Sequence, residues 1–145
     1  MNLAPATVRV AVAGSTCDVP ADLHLVVAFP GLAGRVHYAL DALDDAGTLF
    51  ALRSVPDGDG SEREVRLFVV SPTLYFPDYH PVVDPSPLGE DTDPADVVLL
   101  VVVHPGTGDA APTANLLAPV LVDRRTGRAV QSVLDEDWPL RAPVG

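Results

Sequence analysis

Histidine and cysteine are the side chains that most often bind transition metals in proteins. The chain has four histidines and one cysteine, Cys17. Neither the histidines nor Cys17 show the close pairing that zinc sites use. Two of the histidines alternate with other residues in predicted strands, which is typical of side chains that face solvent or a partner. The sequence therefore predicts no metal site and no cofactor at His24, His37, His80 or His104.

Candidate catalytic groups are also isolated along the chain. Ser15 and Cys17 follow a predicted strand, but no G-x-S-x-G element surrounds the serine. Asp44 and Asp45 are adjacent, and adjacent side chains of an extended chain point to opposite faces. Asp57–Glu62 is similar to part of a calcium loop but lacks the full ligand series, so a hairpin turn is the favoured interpretation. The sequence predicts no catalytic residue and hence no enzyme.

Aromatic residues are concentrated in the segment Ser71–Tyr79, which contains two of the three tyrosines and one of the four phenylalanines. One interpretation is an apolar plug at the end of a strand. The other is an exposed surface that recognises a partner, since tyrosine and phenylalanine anchor interfaces well. Both hold together if Phe76 points inward and either Tyr75 or Tyr79 points outward. The candidate partner-binding residues here are Tyr75, Phe76, Pro77, Asp78 and Tyr79.

A second distinctive segment, Thr113–Asp123, begins with Thr-Ala-Asn and continues as an apolar strand pattern. The side chain of Asn115 can hydrogen bond to the nearby backbone and start a turn. A strand entered through this turn is the favoured interpretation. Asn115 also remains a candidate for partner binding, because the segment contributes to the resemblance described below.

The charge of the chain is strongly negative, with a formal net charge of −11 and a pI of about 4.4. All nine cations are arginine, and residues 67–123 contain eight acidic residues and no arginine. Phosphate groups are bound through cations, so the sequence predicts neither a nucleic-acid nor a membrane partner. An acidic surface instead attracts a basic protein. The candidate residues of such a surface lie in the proline-rich loop 81–96 and are Glu90, Asp91, Asp93 and Asp96.

Period-two patterns of apolar residues indicate strands throughout the chain. Fifteen prolines and eleven glycines leave little room for helix, although Leu40–Ala46 is expected to hold one helical turn. Asp123–Arg128 predicts a hairpin with Gly127 at a positive φ. The predicted strands are Thr7–Val12, Leu23–Phe29, Val36–Leu40, Leu49–Val55, Val65–Val70, Val97–Val103, Leu116–Val122 and Ala129–Leu134.

These elements predict an all-β class, a small antiparallel β-barrel-like domain with little helix. The length favours a single domain over residues 1–145. The longest apolar run, Val97–Val103, is far shorter than the roughly 20 residues that span a bilayer. The sequence predicts no secretory signal, and a single cysteine fits a reducing cytoplasm, so a cytoplasmic location is expected.

Three motifs in order resemble the FliW family. That family carries an N-P-F-x-F-F-P-D-Y-like element, then T-A-N-L-x-A-P-I-V-I-N, then a G-(K/R)-x-x-Q-x-V-L strand. The corresponding segments are Ser71–Tyr79, Thr113–Asp123 and Gly127–Leu134. Phe29–Gly34 is similar to an early family turn but is one residue shorter. The resemblance covers about residues 6–140, and Asp57–Glu64 looks like an insertion within it.

The resemblance implies a non-enzymatic cytoplasmic regulator with a small antiparallel β-barrel-like fold. We expect the free protein to be a monomer. Proteins of this family bind flagellin before its export. When flagellin leaves the cell, they bind CsrA, a basic RNA-binding dimer, and relieve its repression of flagellin translation. For flagellin, the expected contact involves Tyr75 and Tyr79, and Tyr79→Ala is expected to weaken it without lowering the thermal midpoint. The alternatives are a β-domain that binds another peptide or a carbohydrate and an acid-dependent hydrolase.

Overall fold

The computed structural model of the 145-residue chain describes residues 6–12, 14–32, 34–55, 64–106 and 108–144. These residues form a nearly all-β structure with one single-turn helix, α1 (Pro72–Tyr75), and two 3₁₀ turns, Ser86–Leu88 and Pro94–Asp96. The strands are β1 (Thr7–Val12), β2 (Ser15–Pro20), β3 (Asp22–Leu25), β4 (His37–Ala42), β5 (Leu49–Ser54), β6 (Arg66–Val70), β7 (Val97–His104), β8 (Thr113–Ala114), β9 (Val120–Asp123), β10 (Arg128–Gln131) and β11 (Ala142–Pro143).

Seven strands close into a barrel-like ring in the order β7-β6-β5-β4-β3-β10-β9, and β9 pairs back onto β7. Every pair in the ring is antiparallel except β3 with β10, which run parallel. β7 makes the closure possible because its first half pairs with β9 and its second half with β6. β8 and β11 extend the sheet from the end of β7, and β1 and β2 form a separate hairpin.

The core lies inside this ring, since the strands alternate buried and more exposed side chains. In β4, for example, Tyr38 and Leu40 are buried while their neighbours are half-buried. Val10 and Val19 from the β1–β2 hairpin belong to the same buried cluster, so the hairpin covers part of the barrel. A second apolar cluster joins β7 to the segments around it and consists of Val70, Tyr79, Val101, Ala114, Leu116, Leu134 and Ala142.

The all-β class and the barrel-like architecture are confirmed, and the parallel β3–β10 pair is a feature that the sequence did not indicate. The helical turn predicted at Leu40–Ala46 is wrong. β4 continues to Ala42, and the Asp44 carboxylate then accepts hydrogen bonds from the backbone N–H groups of Gly47 and Thr48, both at 3.1 Å. The backbone therefore enters a turn that reverses into β5.

One strand prediction is shortened by polar residues, and one strand was not predicted. The strand predicted from Leu116 begins only at Val120, because a turn starting at Asn115 and then Pro119 interrupt the apolar run. β2 was not predicted, since its sequence STCDVP lacks an apolar alternation. Residues 57–62, for which a hairpin turn is predicted, and nearly all of the expected insertion lie outside the described residues.

The hairpin predicted around residues 123–128 is confirmed by the antiparallel pairing of β9 with β10, with Gly127 at φ +82°. Among the described residues, no helix has the length and apolar character needed to cross a membrane.

Candidate functional site

The aromatic segment Ser71–Tyr79 leaves the barrel at the end of β6 and is fixed there by Ser71. The backbone N–H of Ser71 donates to the carbonyl of Thr48 at 2.8 Å, and its hydroxyl donates to the carbonyl of Ala11 in β1. Pro72 occupies the first turn of α1, where its missing N–H costs nothing. The start of the segment is therefore tied to the residue before β5 and to β1 of the separate hairpin.

Tyr79 ends this segment and points into the molecule. Its side chain is 6% exposed, and its hydroxyl donates to the carbonyl of Leu116 at 2.7 Å. Its ring packs edge-to-face on Trp138 with the centroids 4.7 Å apart. Burial, and secondarily the charge of Glu136, raises the pKa of Tyr79 well above its usual value. The apolar-plug interpretation thus applies to Tyr79.

This burial corrects one expectation. A partner cannot reach the Tyr79 side chain in this structure, and Tyr79→Ala would remove a packed ring and a buried hydrogen bond. Replacing a buried aromatic residue by alanine typically costs about 3–5 kcal/mol. The thermal midpoint of that variant should therefore fall instead of staying unchanged.

The other residues of the segment surround Tyr79 and are more accessible. Tyr75 is 37% exposed, Pro77 and Asp78 are exposed, and Phe76 is partly buried against the second apolar cluster. A cleft of about 310 Å³ opens beside them, and its walls are mainly apolar and aromatic. Such a cleft suits an apolar side chain of a protein partner. Its lining residues are Tyr75, Phe76, Pro77, Asp78, Tyr79, Leu116, Trp138, Pro139 and Ala142.

Asn115 has a structural role next to this cleft. Its side-chain oxygen accepts hydrogen bonds from the backbone N–H groups of Leu117 and Ala118, both at 3.1 Å. The turn that results brings Leu116 under Tyr79, where the Leu116 carbonyl accepts the tyrosine hydroxyl. Asn115 is only half-buried, so part of its side chain also faces outward.

The acidic residues predicted for a partner surface fall into two groups. Glu90, Asp91 and Asp93 are exposed, and the Asp93 carboxylate accepts the backbone N–H of Ala95 at 2.9 Å. Asp96, in contrast, is 8% exposed and forms an ion pair of 2.8 Å with Arg124. Asp96 thus holds the 3₁₀ turn onto the end of β9, and its carboxylate is not displayed to a partner.

A cavity of about 360 Å³ lies between the acidic loop and the β9–β10 hairpin. Glu90, Asp91 and Asp93 contribute to one side, while Arg125 and Arg128 contribute to the other. Neither arginine was predicted to lie beside the acidic loop, because both lie outside residues 67–123 and reach the loop only through the fold. Five carboxylates and two guanidinium groups line the cavity, so it is net negative but not uniformly acidic.

The buried carboxylates of this cavity are engaged by neighbouring groups. Asp96 contacts Arg124 and, at 3.8 Å, Arg125, and the Asp123 side chain accepts the backbone N–H of Arg125 at 2.9 Å. Within the described residues, no cluster of three or more His, Cys, Asp or Glu side chains could hold a metal ion. The geometry is that of a charged surface recess supported by ion pairs.

Comparison with known proteins places these features in a family. A family model described as FliW protein matches residues 11–144. The flagellar assembly factor FliW of Bacillus subtilis (strain 168) is 29% identical over 119 residues, 80% of each chain. The protein of the same description from Syntrophotalea carbinolica is 38% identical over 102 residues, 68% of each chain. A crystal structure of the flagellar assembly factor FliW aligns with a TM-score of 0.69 at 18% identity, covering 93% of this chain and 95% of that one.

Proposed function

The chain belongs to the FliW family of flagellar assembly factors, and on this basis we propose that it binds flagellin in the cytoplasm before export. When it is free of flagellin, it binds a CsrA-like translational regulator and relieves the repression of flagellin translation. The role is one of binding and release and involves no catalysis. The family match over residues 11–144 is the observation that carries this proposal.

The aromatic cleft supports flagellin binding. Tyr75, Pro77 and Asp78 are accessible at its rim, and Phe76 forms part of its wall. An exposed tyrosine supplies a large contact area and a polar tip at low conformational cost, which is why tyrosines are enriched at interfaces. Tyr79 supports this cleft from below, because its buried ring fixes the position of the segment Ser71–Tyr79.

The acidic loop supports binding of the basic partner. Glu90, Asp91 and Asp93 project into solvent, and opposite charge accelerates the encounter of two proteins. The same charge repels RNA, so a CsrA-like protein held at this surface would bind RNA less well without its RNA site being occupied. Asp96 supports the loop through its ion pair with Arg124.

Size-exclusion chromatography of the purified chain with flagellin, and separately with CsrA from the same source, tests the proposal. We expect each mixture to yield a complex that elutes earlier than either component. If neither protein changes its elution volume at micromolar concentrations, the proposal is wrong.

A single substitution tests the aromatic surface. Tyr75→Ala should weaken flagellin binding by about 2 kcal/mol, a roughly 30-fold rise in Kd, if Tyr75 is an anchor of the interface. Because Tyr75 is partly exposed, the thermal midpoint should change little. Val27→Ala is the matched control, since Val27 is also an exposed apolar residue, at 64%, and lies outside the cleft. Equal affinities of the two variants would contradict the assignment.

A further inference from the structure

We infer that the free edge of β2 (Ser15–Pro20) is a docking surface for a second copy of this chain, and that the two β2 strands pair antiparallel around a two-fold axis. In the described part of the chain, β2 pairs with β1 alone, because the two strands form a hairpin separate from the larger sheet. A strand with one open edge is a template for another strand. This inference goes beyond the proposed function and does not depend on it.

The free edge of β2 displays the backbone groups of Thr16 and Asp18. Just past the hairpin register, the N–H of Ala21 donates to the carbonyl of Ala6 at 2.9 Å. Hydrogen-bonded pairs alternate along an antiparallel ladder, so the odd-numbered residues of β2 bond to β1 and the even-numbered ones point away. Among the described residues, the backbone N–H groups of Thr16 and Asp18 have no acceptor, and the Thr16 carbonyl receives only the Ser15 hydroxyl, at 3.4 Å.

The other sheet edges are less accessible to a strand. On the outer side of β1, the N–H of Ala11 donates to the carbonyl of Gly47 at 2.8 Å, and the Ala11 carbonyl accepts the hydroxyl of Ser71. β11, at the end of the larger sheet, has two residues, and the second is Pro143, which has no N–H. β2 is therefore the longest open edge that the described residues offer.

The self-complementarity of β2 selects a second copy as the occupant. A two-fold contact places the axis at one residue of the strand. With the axis at Cys17, Thr16 of each copy lies opposite Asp18 of the other, and each such pair exchanges both of its hydrogen bonds. An axis at Asp18 would oppose two carboxylates and place Thr16 against Pro20, which lacks an N–H. An axis at Thr16 would leave Asp18 facing the turn at Gly14.

The charge of the hairpin permits this contact. The net charge of −11 makes two copies repel each other at long range, but the only charged residues of β1 and β2 are Arg9 and Asp18, which lie opposite each other in the register. The paired edges are therefore locally neutral, and salt screens the remaining repulsion. Self-association should strengthen as salt rises, whereas binding of a basic partner strand would weaken.

The contact is short, at the low end of interface sizes, so the dimer should be weak and the monomer should prevail in dilute solution. Sedimentation equilibrium of the untagged full-length chain up to about 1 mM, at low and high salt, measures the dimer affinity. Thr16→Pro removes one outward N–H, which an edge strand tolerates, and should raise the dimer Kd at least about tenfold. Thr16→Val is the matched control, because it keeps the N–H and a β-branched side chain. Circular dichroism checks that both variants are folded.

Cys17 reports the register of the paired strands. The two Cys17 residues would form a non-hydrogen-bonded pair with Cα atoms about 4.5 Å apart, within the range that a disulfide spans. Diamide takes two electrons and two protons from a pair of thiols and should cross-link the chain into a dimer on a non-reducing gel. Burial raises the pKa of Cys17, so the reaction is run at alkaline pH. The matched control is the double variant Ser15→Cys and Cys17→Ser, whose thiol lies on the same face but opposite Val19 of the second copy, and which should cross-link far less.

A chain that stays monomeric at high salt over the whole concentration range would overturn the inference, and so would equal dimer affinities of Thr16→Pro and Thr16→Val. Equal cross-linking of the two thiol positions would rule out the register on which the inference rests. If the chain did not self-associate and Thr16→Pro instead weakened binding of flagellin or CsrA, the edge would belong to a strand of that partner.

Discussion

Two buried tyrosines differ in the environment of their hydroxyl groups. The Tyr79 hydroxyl donates to the carbonyl of Leu116, whereas the hydroxyl of Tyr38, which is 0% exposed, has no hydrogen-bond partner in the described part of the chain. A buried polar group without a partner costs stability, while a satisfied one contributes modestly. The same chemical change at the two positions should therefore have opposite effects.

Tyr79→Phe should lower the free energy of unfolding by about 1–3 kcal/mol, because the Leu116 carbonyl loses its donor. Tyr38→Phe removes only the unpaired hydroxyl, so the free energy of unfolding should stay the same or rise by about 1 kcal/mol. Urea denaturation followed by circular dichroism measures both values. Equal losses in the two variants would mean that the Tyr79 hydrogen bond contributes nothing specific.

Asn115 gives a second prediction at the scale of one residue. Asn115→Ala removes the acceptor of two backbone N–H groups and should cost about 1 kcal/mol, as loss of a similar helix-capping side chain does. Asn115→Asp keeps an acceptor oxygen at the same place and should remain close to the unmodified chain. Thermal unfolding of both variants measures this difference, and an aspartate variant as unstable as the alanine variant would contradict the assigned role.

At the scale of elements, local patterns predicted most strands, because apolar residues alternate with other residues in β4 and form a continuous run in β7. β2 was not predicted, since Val19 is the only one of its residues that is buried. The parallel contact of β3 with β10 could not be predicted, because no local pattern encodes which distant strand lies alongside. The position of Tyr79 depended on Leu116 and Trp138, which approach it only in the folded chain.

The β9–β10 hairpin gives a prediction for an element. Gly127 has φ +82°, and a Cβ there would lie 2.5 Å from the carbonyl oxygen of Asp22 at the start of β3. Gly127→Ala should thus cost about 1 kcal/mol for the positive φ and more for the displaced backbone. Gly14→Ala is the control, since Gly14 has φ +70° but no described atom within 4 Å of its Cβ position.

Chemical denaturation of these two glycine variants separates the two costs. The loss of unfolding free energy in Gly14→Ala measures the cost of the positive φ alone. The additional loss in Gly127→Ala measures the cost of the close contact between the hairpin and β3. We expect a total loss of about 2–4 kcal/mol for Gly127→Ala. If both variants lose the same amount, the close approach to Asp22 does not contribute.

For the whole molecule, the fold changes the meaning of the charge distribution. Residues 67–123 contain no arginine, yet Arg124 pairs with Asp96, and Arg125 and Arg128 line the recess beside the acidic loop. The uncompensated charge is therefore carried mainly by the exposed carboxylates, which include Glu90, Asp91 and Asp93. Electrostatic attraction of a basic partner should act through these three residues and not through Asp96.

The combined variant Glu90→Gln, Asp91→Asn and Asp93→Asn should associate with CsrA about tenfold more slowly at low salt and show a weaker salt dependence. Stopped-flow measurement at several ionic strengths gives both quantities. The control variant neutralises Asp109, Asp135 and Asp137, which are also exposed and give the same change in net charge. An equal reduction in both variants would show that total charge matters and the acidic loop does not.

The parallel pairing of His24 and Leu25 with Arg128 and Ala129 also has a kinetic consequence. The ring joins β3 to β10, which lies more than a hundred residues further along the chain. β3 therefore lacks its β10 neighbour, and β7 lacks its β9 neighbour, until the β9–β10 hairpin has left the ribosome. Non-local sheets of this kind fold in milliseconds to seconds, and unpaired edges are prone to aggregate in the meantime. A ribosome stalled before residue 128 should therefore hold a nascent chain that remains sensitive to protease, and resistance should appear abruptly once the last hairpin emerges.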